Sequence, residues 1–319
     1  MVPCAELSAF IANRSAQVSA QRLMTRAATA WRECEDVAPV AKALRDYGEG
    51  FPPDGCAALF DLMSDPAKAE AFASGFLTAM AAAMAEQPLG HPCFWHSIEG
   101  DFTAVHLLHS GQATLSLVVV EADPGSRTTP VVSASFTATE RHEIILTGKA
   151  EGKIYSLENR SNLRRNNGRK VFEKGQVLHL PAWTVRVFQR VSAPLVSLRL
   201  SHRPQPMPVT KQVRLSDGAV LHEAAGDPVD TRHELMAALL GEMQHEEATP
   251  ALAAFASRPG FSGARWEALR RTLALDTETG FRLLTRIADD PDDPLAADAY
   301  RLRGRLLESH PVLANLVEG

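Results

Sequence analysis

Arg141-His142-Glu143-Ile144-Ile145-Leu146-Thr147-Gly148-Lys149-Ala150-Glu151-Gly152-Lys153-Ile154-Tyr155 (RHEIILTGKAEGKIY) decides the fold. Isoleucine and leucine fill its first half. A glycine follows at 148, and apolar residues resume after Gly152. The pattern predicts one strand, a tight glycine turn and a second strand.

Working outward, β-type runs continue on both sides. Residues 102–108 and 113–120 are rich in β-branched residues, and 131–137, 152–157, 171–172, 176–180, 185–191 and 195–200 follow. Glycine, proline and asparagine punctuate them. Short strands at this spacing imply an all-β sandwich or barrel. The charged segment 159–170 is expected as a hairpin, with Asn167-Gly168 at its turn.

Beyond these strands the period becomes helical. Ala30, Trp31, Val37, Val40, Ala41, Leu44 and Tyr47 show it before residue 90, and Ser64-Asp65-Pro66 reads as an N-cap and first-turn proline. After Arg232, four helices are expected around Leu235 to Met243, Trp266 to Leu275, Phe281 to Ile287 and Ala297 to Leu307. Asp276 and Asp293 are expected to open two of them. The last region loosely resembles HEAT-type helical repeats. The expected layout is therefore α+β and multidomain: 1–90 helical, 91–205 a β-barrel, 206–229 a linker and 230–319 helical.

A second segment completes the barrel reading: Gly175-Gln176-Val177-Leu178-His179-Leu180-Pro181-Ala182-Trp183-Thr184-Val185-Arg186-Val187-Phe188. It runs from a glycine turn through a strand to a proline. With the opening stretch before it and a strand at 195–200 after it, residues 92–203 resemble the cupin superfamily. That resemblance implies a double-stranded β-helix, or jelly-roll, barrel. In metal-binding cupins the first motif supplies two histidines and a glutamate, and the second a further histidine. Imidazole and carboxylate groups suit a transition metal. Counted from Gly148 and Pro181, those positions fall on Ala134 and Phe136 (or Ser135 and Thr137), on Arg141 and on Arg186. None carries a usual ligand, so no metal cofactor is expected. The alternative is one divalent transition metal on His142, Glu143 and His179, serving a dioxygenase or isomerase. Residues 142 and 143 are adjacent on a strand and face opposite sides unless a bulge intervenes.

Arg141 and Arg186 suggest a different pocket. If both point inward, the barrel is cationic where relatives hold a metal. Guanidinium groups grip carboxylates and phosphates in a forked geometry. The candidate ligand-binding set is Arg141, Arg186, His142, His179 and Trp183. Pairing of either arginine with Glu143 is the structural alternative. A metal-free isomerase or lyase, with His142 or His179 as base, is a further one. No catalytic residue is assigned.

Bulk properties limit the partners. Of 319 residues, 45% are hydrophobic and 22% charged, as in an ordinary globular protein. A net charge of −5 argues against nucleic acid. No apolar run spans a bilayer, and the start of the chain lacks a signal-peptide pattern. Cys4, Cys34, Cys56 and Cys93 form no C-x-x-C pair, as in a reducing cytoplasm. The expected partners are a small organic anion or a protein, with a homodimer as one form.

Overall fold

The computed structural model describes residues 12–122, 131–165 and 168–316. Cys4, the start of the chain and Asn167 lie outside these residues. The fold is α+β, with antiparallel sheets and many helices.

Among the described residues, four helices come first: α1 (Arg14–Glu33), α2 (Ala38–Gly48), α3 (Ala57–Ser64) and α4 (Pro66–Glu86). Asp65 caps α4 as the sequence predicts: its side chain accepts from the Ala67 and Lys68 amides, and Pro66 occupies the first turn. Trp31 of α1 meets Phe72, Phe76 and Phe94 edge-on. That aromatic knot continues through Tyr47 and Leu59 to Leu115, Ile144, Leu198 and Leu200 of the sheet. The helices therefore cover the outer face of the strands. Phe94 is buried in this knot, whereas Trp95 beside it is 84% exposed.

Eleven strands follow among the described residues: β1 (His96–Glu99), β2 (Phe102–Ser110), β3 (Ala113–Val120), β4 (Ser133–Phe136), β5 (Glu140–Glu158), β6 (Asn162–Arg165), β7 (Lys170–Glu173), β8 (Val177–Leu180), β9 (Thr184–His202), β10 (Thr210–Arg214) and β11 (Val220–Ala224). The main sheet runs β1-β2-β3-β9-β5-β6, with β7 and β8 also paired to β5.

The opening stretch differs from the expectation in one respect. Gly148 does not turn the chain back. β5 continues through it for 19 residues and pairs with the equally long β9 from Glu140↔His202 to Ser156↔Thr184. Register shifts cluster between Ile145 and Gly152. Gly148 has φ +95°, and a Cβ there would lie 2.0 Å from the Pro194 carbonyl oxygen. The glycine thus lets two long strands bend together, a use of glycine that a sequence pattern does not separate from a hairpin turn. The bend folds the β5–β9 ribbon over itself, so that Arg186 from one half reaches Glu143 on the other. Ile145, Ala150, Ile154, Phe172, Leu180, Val191 and Leu195 fill the inner side.

The chain divides into two compact units. The first takes the chain up to Gln205 together with Gln212–Val220; the second takes Pro206–Lys211 and Leu221–Gly319. The segment expected as a linker carries strands instead, and Val213 and Leu215 join a small core with Phe136 and Leu157. The second unit holds α5 (Pro228–Glu242), α6 (Thr249–Ala256), α7 (Ser262–Leu275), α8 (Thr277–Ala288) and α9 (Ala296–Ser309). The four expected helices are present, and α6 adds a fifth among the described residues. Asp276 caps α8 by accepting from the Thr279 amide. The core is a single one, built on Leu252, Leu269, Phe281, Leu284 and Ile287.

Candidate functional site

Strand parity sorts the residues around the opening stretch. Arg141 and Glu143 point to the inner side of β5, and Glu140 and His142 to the outer. Cross-strand pairing brings Arg199 of β9 opposite Glu143 on the same face. The bend then delivers Arg186 from the far half of the ribbon.

These side chains meet at one carboxylate. Arg199 Nε donates to Glu143 Oε1 at 2.7 Å, and Arg186 Nη2 lies 2.7 Å from Oε2. Arg141 Nη2 donates to the Thr184 carbonyl at 2.7 Å. The Glu143 and Arg186 side chains are 1% and 4% exposed. Two aromatic rings sandwich Arg186: Phe172 at 5.0 Å and Phe188 at 4.6 Å. Phe102 covers Arg199 at 5.0 Å. Such stacking holds a guanidinium without spending its donors.

The electrostatics follow from this crowding. Burial alone would raise the Glu143 carboxyl, but Arg186, Arg199 and Arg141 together pull it down from 4.5 to about 2. Burial lowers Arg141 from 12.5 to about 10, and the nearby Arg199 adds to this. Burial likewise lowers Arg186. All three arginines remain cationic at neutral pH. Among the described residues, three guanidinium groups thus face one buried carboxylate, and Arg141 Nε and Arg186 Nη1 are buried without a hydrogen-bond partner.

A cavity of about 400 Å³ opens beside them. Phe102, Val120, Leu180, Val187 and Phe188 give it apolar walls, and Arg141, Glu143, Arg186 and Arg199 its polar end. Asp101 stands at the exposed rim. This is the composition of a small-molecule site: mostly apolar, with a few convergent charged groups.

The five candidate residues divide among three places. Arg141 and Arg186 line the cavity. His142 and His179 stand on the opposite face of the sheet, stacked at 4.4 Å with 12° between their rings. Trp183 packs elsewhere, in the cluster of Phe136 and Leu157, with the Arg160 guanidinium 5.7 Å from its ring. The metal set His142, Glu143 and His179 is therefore not assembled, because no bulge rotates residue 142 or 143 and Glu143 is held by arginines. For the same reason neither histidine can serve as base toward an anion held by Arg141 and Arg186. Pairing of Arg186 with Glu143 does occur, yet one carboxylate does not balance three cations. Arg199 was missing from the candidate set. Its signal was available, since it stands opposite Glu143 once β9 is registered on β5, but register is what the sequence leaves open.

Among the described residues, no helix is long and apolar enough to cross a membrane. No protein-family model matches the chain, and no curated protein matches it. Solved structures similar to it include a sugar phosphate isomerase from a cupin superfamily of Silicibacter pomeroyi, at 14% identity, over 40% of this chain and 85% of that one, with a TM-score of 0.25. KdgF from Halomonas sp. is similar at 11% identity over 35% of this chain and 88% of that one, with a TM-score of 0.25. Ectoine synthase from P. lautus is similar at 10% identity over 37% and 80%, again with a TM-score of 0.25. Scores this low carry no argument about the site.

Proposed function

We propose that the chain binds a small organic anion in the arginine-walled cavity of a cupin-type jelly-roll barrel, in a sensing or assembly role and without a metal in that cavity. The carrying observation is the imbalance of charge: three arginines crowd one buried carboxylate at the end of an apolar cavity. A carboxylate ligand in the cavity would offset the surplus charge of Arg141, Arg186 and Arg199, which line it. The apolar walls favour a ligand with a hydrophobic body over a bare inorganic ion. The size suits a single ring or a short chain. A cytoplasmic location belongs to this reading, supported by the free thiols of Cys34, Cys56 and Cys93.

Calorimetric titration with benzoate, short dicarboxylates and inorganic phosphate tests it. At least one carboxylate is expected to bind, with affinity at least tenfold weaker in Arg141→Met. If none of the panel binds, or Arg141→Met binds equally well, the cavity is not an anion site.

A second reading, association with another copy of the chain, draws on α5. Leu235, Met236, Leu239 and Met243 are each more than half exposed there. The HEAT-like expectation for this region belongs to the same reading, since stacked helices present broad surfaces. Light scattering of the wild type and of Leu239→Glu tests it. A dimer that the substitution splits supports association, and a monomeric wild type ends it.

A further inference from the structure

Glu140, His142 and His179 form a separate cluster on the outer face of the sheet. Glu140 and His142 are two residues apart on β5, so both side chains leave the strand on one side. His179 of β8 stands directly across from His142 in the strand pairing. The His142 and His179 Nε2 atoms lie 3.6 and 2.6 Å from the same Glu140 Oε1. One ligand atom from each residue falls within 4.8 Å of the others.

We propose that Glu140, His142 and His179 hold one divalent transition-metal ion, Zn²⁺ foremost, which ties β5 to β8. Two imidazole nitrogens and one carboxylate are a ligand set that Zn²⁺ accepts, at about 2.0–2.2 Å each. Tetrahedral bonds of that length set ligand atoms roughly 3.3 Å apart. The observed 2.6 and 3.6 Å to Glu140 Oε1 lie on either side of this value, so both histidines approach the carboxylate at about the span that a shared ion needs. The histidines are also prepared for a metal. Phe60 of α3 meets the His142 ring edge-on at 5.4 Å and 87°, which fixes its direction. The half-exposed His179 leaves the fourth coordination position facing solvent. This site lies on the other side of β5 from the arginine cavity and does not depend on what that cavity binds.

The test uses the full chain, stripped with chelator and titrated with Zn²⁺ by calorimetry at pH 7.5, beside Glu140→Gln and His179→Ala. One equivalent is expected to bind the wild type, with at least tenfold weaker binding in each variant and a higher Tm for the loaded wild type alone. Co²⁺ in place of Zn²⁺ is expected to give the visible absorption of a four-coordinate site, lost in both variants. The proposal is overturned if the wild type takes up no Zn²⁺, or if both variants keep its affinity and the Co²⁺ spectrum. Should a variant fail to fold, X-ray absorption of the Zn²⁺-loaded wild type decides: two imidazoles support the site, and fewer than two overturn it.

Discussion

The molecule buries arginine in two places, and the two are built differently. In the second unit, Arg265 of α7 is almost wholly enclosed. Its Nε donates to the Ala256 carbonyl at 2.9 Å, and its two terminal nitrogens reach the two oxygens of Asp293 at 3.1 and 2.5 Å. That is one cation, one anion and a forked pair. Asp293 also accepts from the Leu295 amide and so fixes the approach to α9. In the first unit, Arg141, Arg186 and Arg199 share one Glu143, with donors left over and a cavity alongside. A balanced pair closes a structure, while the proposed function assigns the unbalanced cluster beside open space to an anion from outside. On that reading the two places separate buried charge that serves stability from buried charge that serves binding.

The largest effect is expected where the imbalance would become complete. Glu143→Gln leaves three guanidinium groups facing one another without a buried counter-charge. Removing one partner of a buried ion pair costs about 3–5 kcal/mol, and this site belongs at the upper end. Urea unfolding measures it, and a loss under 1 kcal/mol would show that solvent already screens the cluster. The pH dependence has the same origin. The Glu143 carboxyl lies near 2 in the folded state against 4.5 ordinarily. A depressed carboxyl adds stability that is complete above about pH 4.5 and is lost as the pH falls toward 2. The amount is on the order of 3 kcal/mol. Glu143→Gln is expected to flatten this part of the stability profile.

Arg265→Met comes next. It strands the mostly buried Asp293 and removes the donor to Ala256, for a loss of about 3 kcal/mol. The double change Arg265→Met with Asp293→Leu is expected to recover most of this, because neither charge is then left alone. If the double variant is no better than the single one, the pair does more than balance charge.

Gly148→Ala probes the bend that brings the cluster together. The positive φ and the 2.0 Å approach to the Pro194 oxygen make any side chain costly there, by about 2 kcal/mol. Thermal unfolding measures it. A variant as stable as the wild type would mean that the ribbon bends without help from this residue.

How far the sequence foretold these sites depends on parity and register. The helical ends, the caps at Asp65 and Asp276 and the run of strands follow local rules that a single segment carries. Arg141 and Arg186 came to notice by counting from Gly148 and Pro181, and both do line the cavity. What local rules do not carry is the partner strand. Arg199 joins the cluster only through the β5–β9 register, and Glu140 rather than Glu143 joins His142 because neighbouring residues on a strand face opposite ways. Trp183 fails as a cavity residue for a related reason. Its backbone has φ +61° in the turn between β8 and β9, and this sends the ring to another cluster. Nothing in the local sequence around Arg265 announces that Asp293, in another loop, will neutralise it.

The smallest expected change in stability is the most informative one. Arg141 makes a single described hydrogen bond, to the Thr184 carbonyl, and repulsion from Arg199 and Arg186 acts on it together with the cost of burial. Met keeps an apolar stem and has no charge to desolvate. Arg141→Met is therefore expected to leave stability within about 1 kcal/mol of the wild type, or slightly above it, since surplus buried charge is often replaced by apolar groups without loss. The same substitution removes a guanidinium that lines the cavity and is expected to weaken carboxylate binding at least tenfold. Urea unfolding and calorimetry on one protein sample give both numbers. A variant that loses 3 kcal/mol would place Arg141 with Arg265, as a group that the fold needs. One that keeps its stability and loses its anion would make Arg141 a residue retained for binding, and the excess of arginine over carboxylate would be the mark of the site.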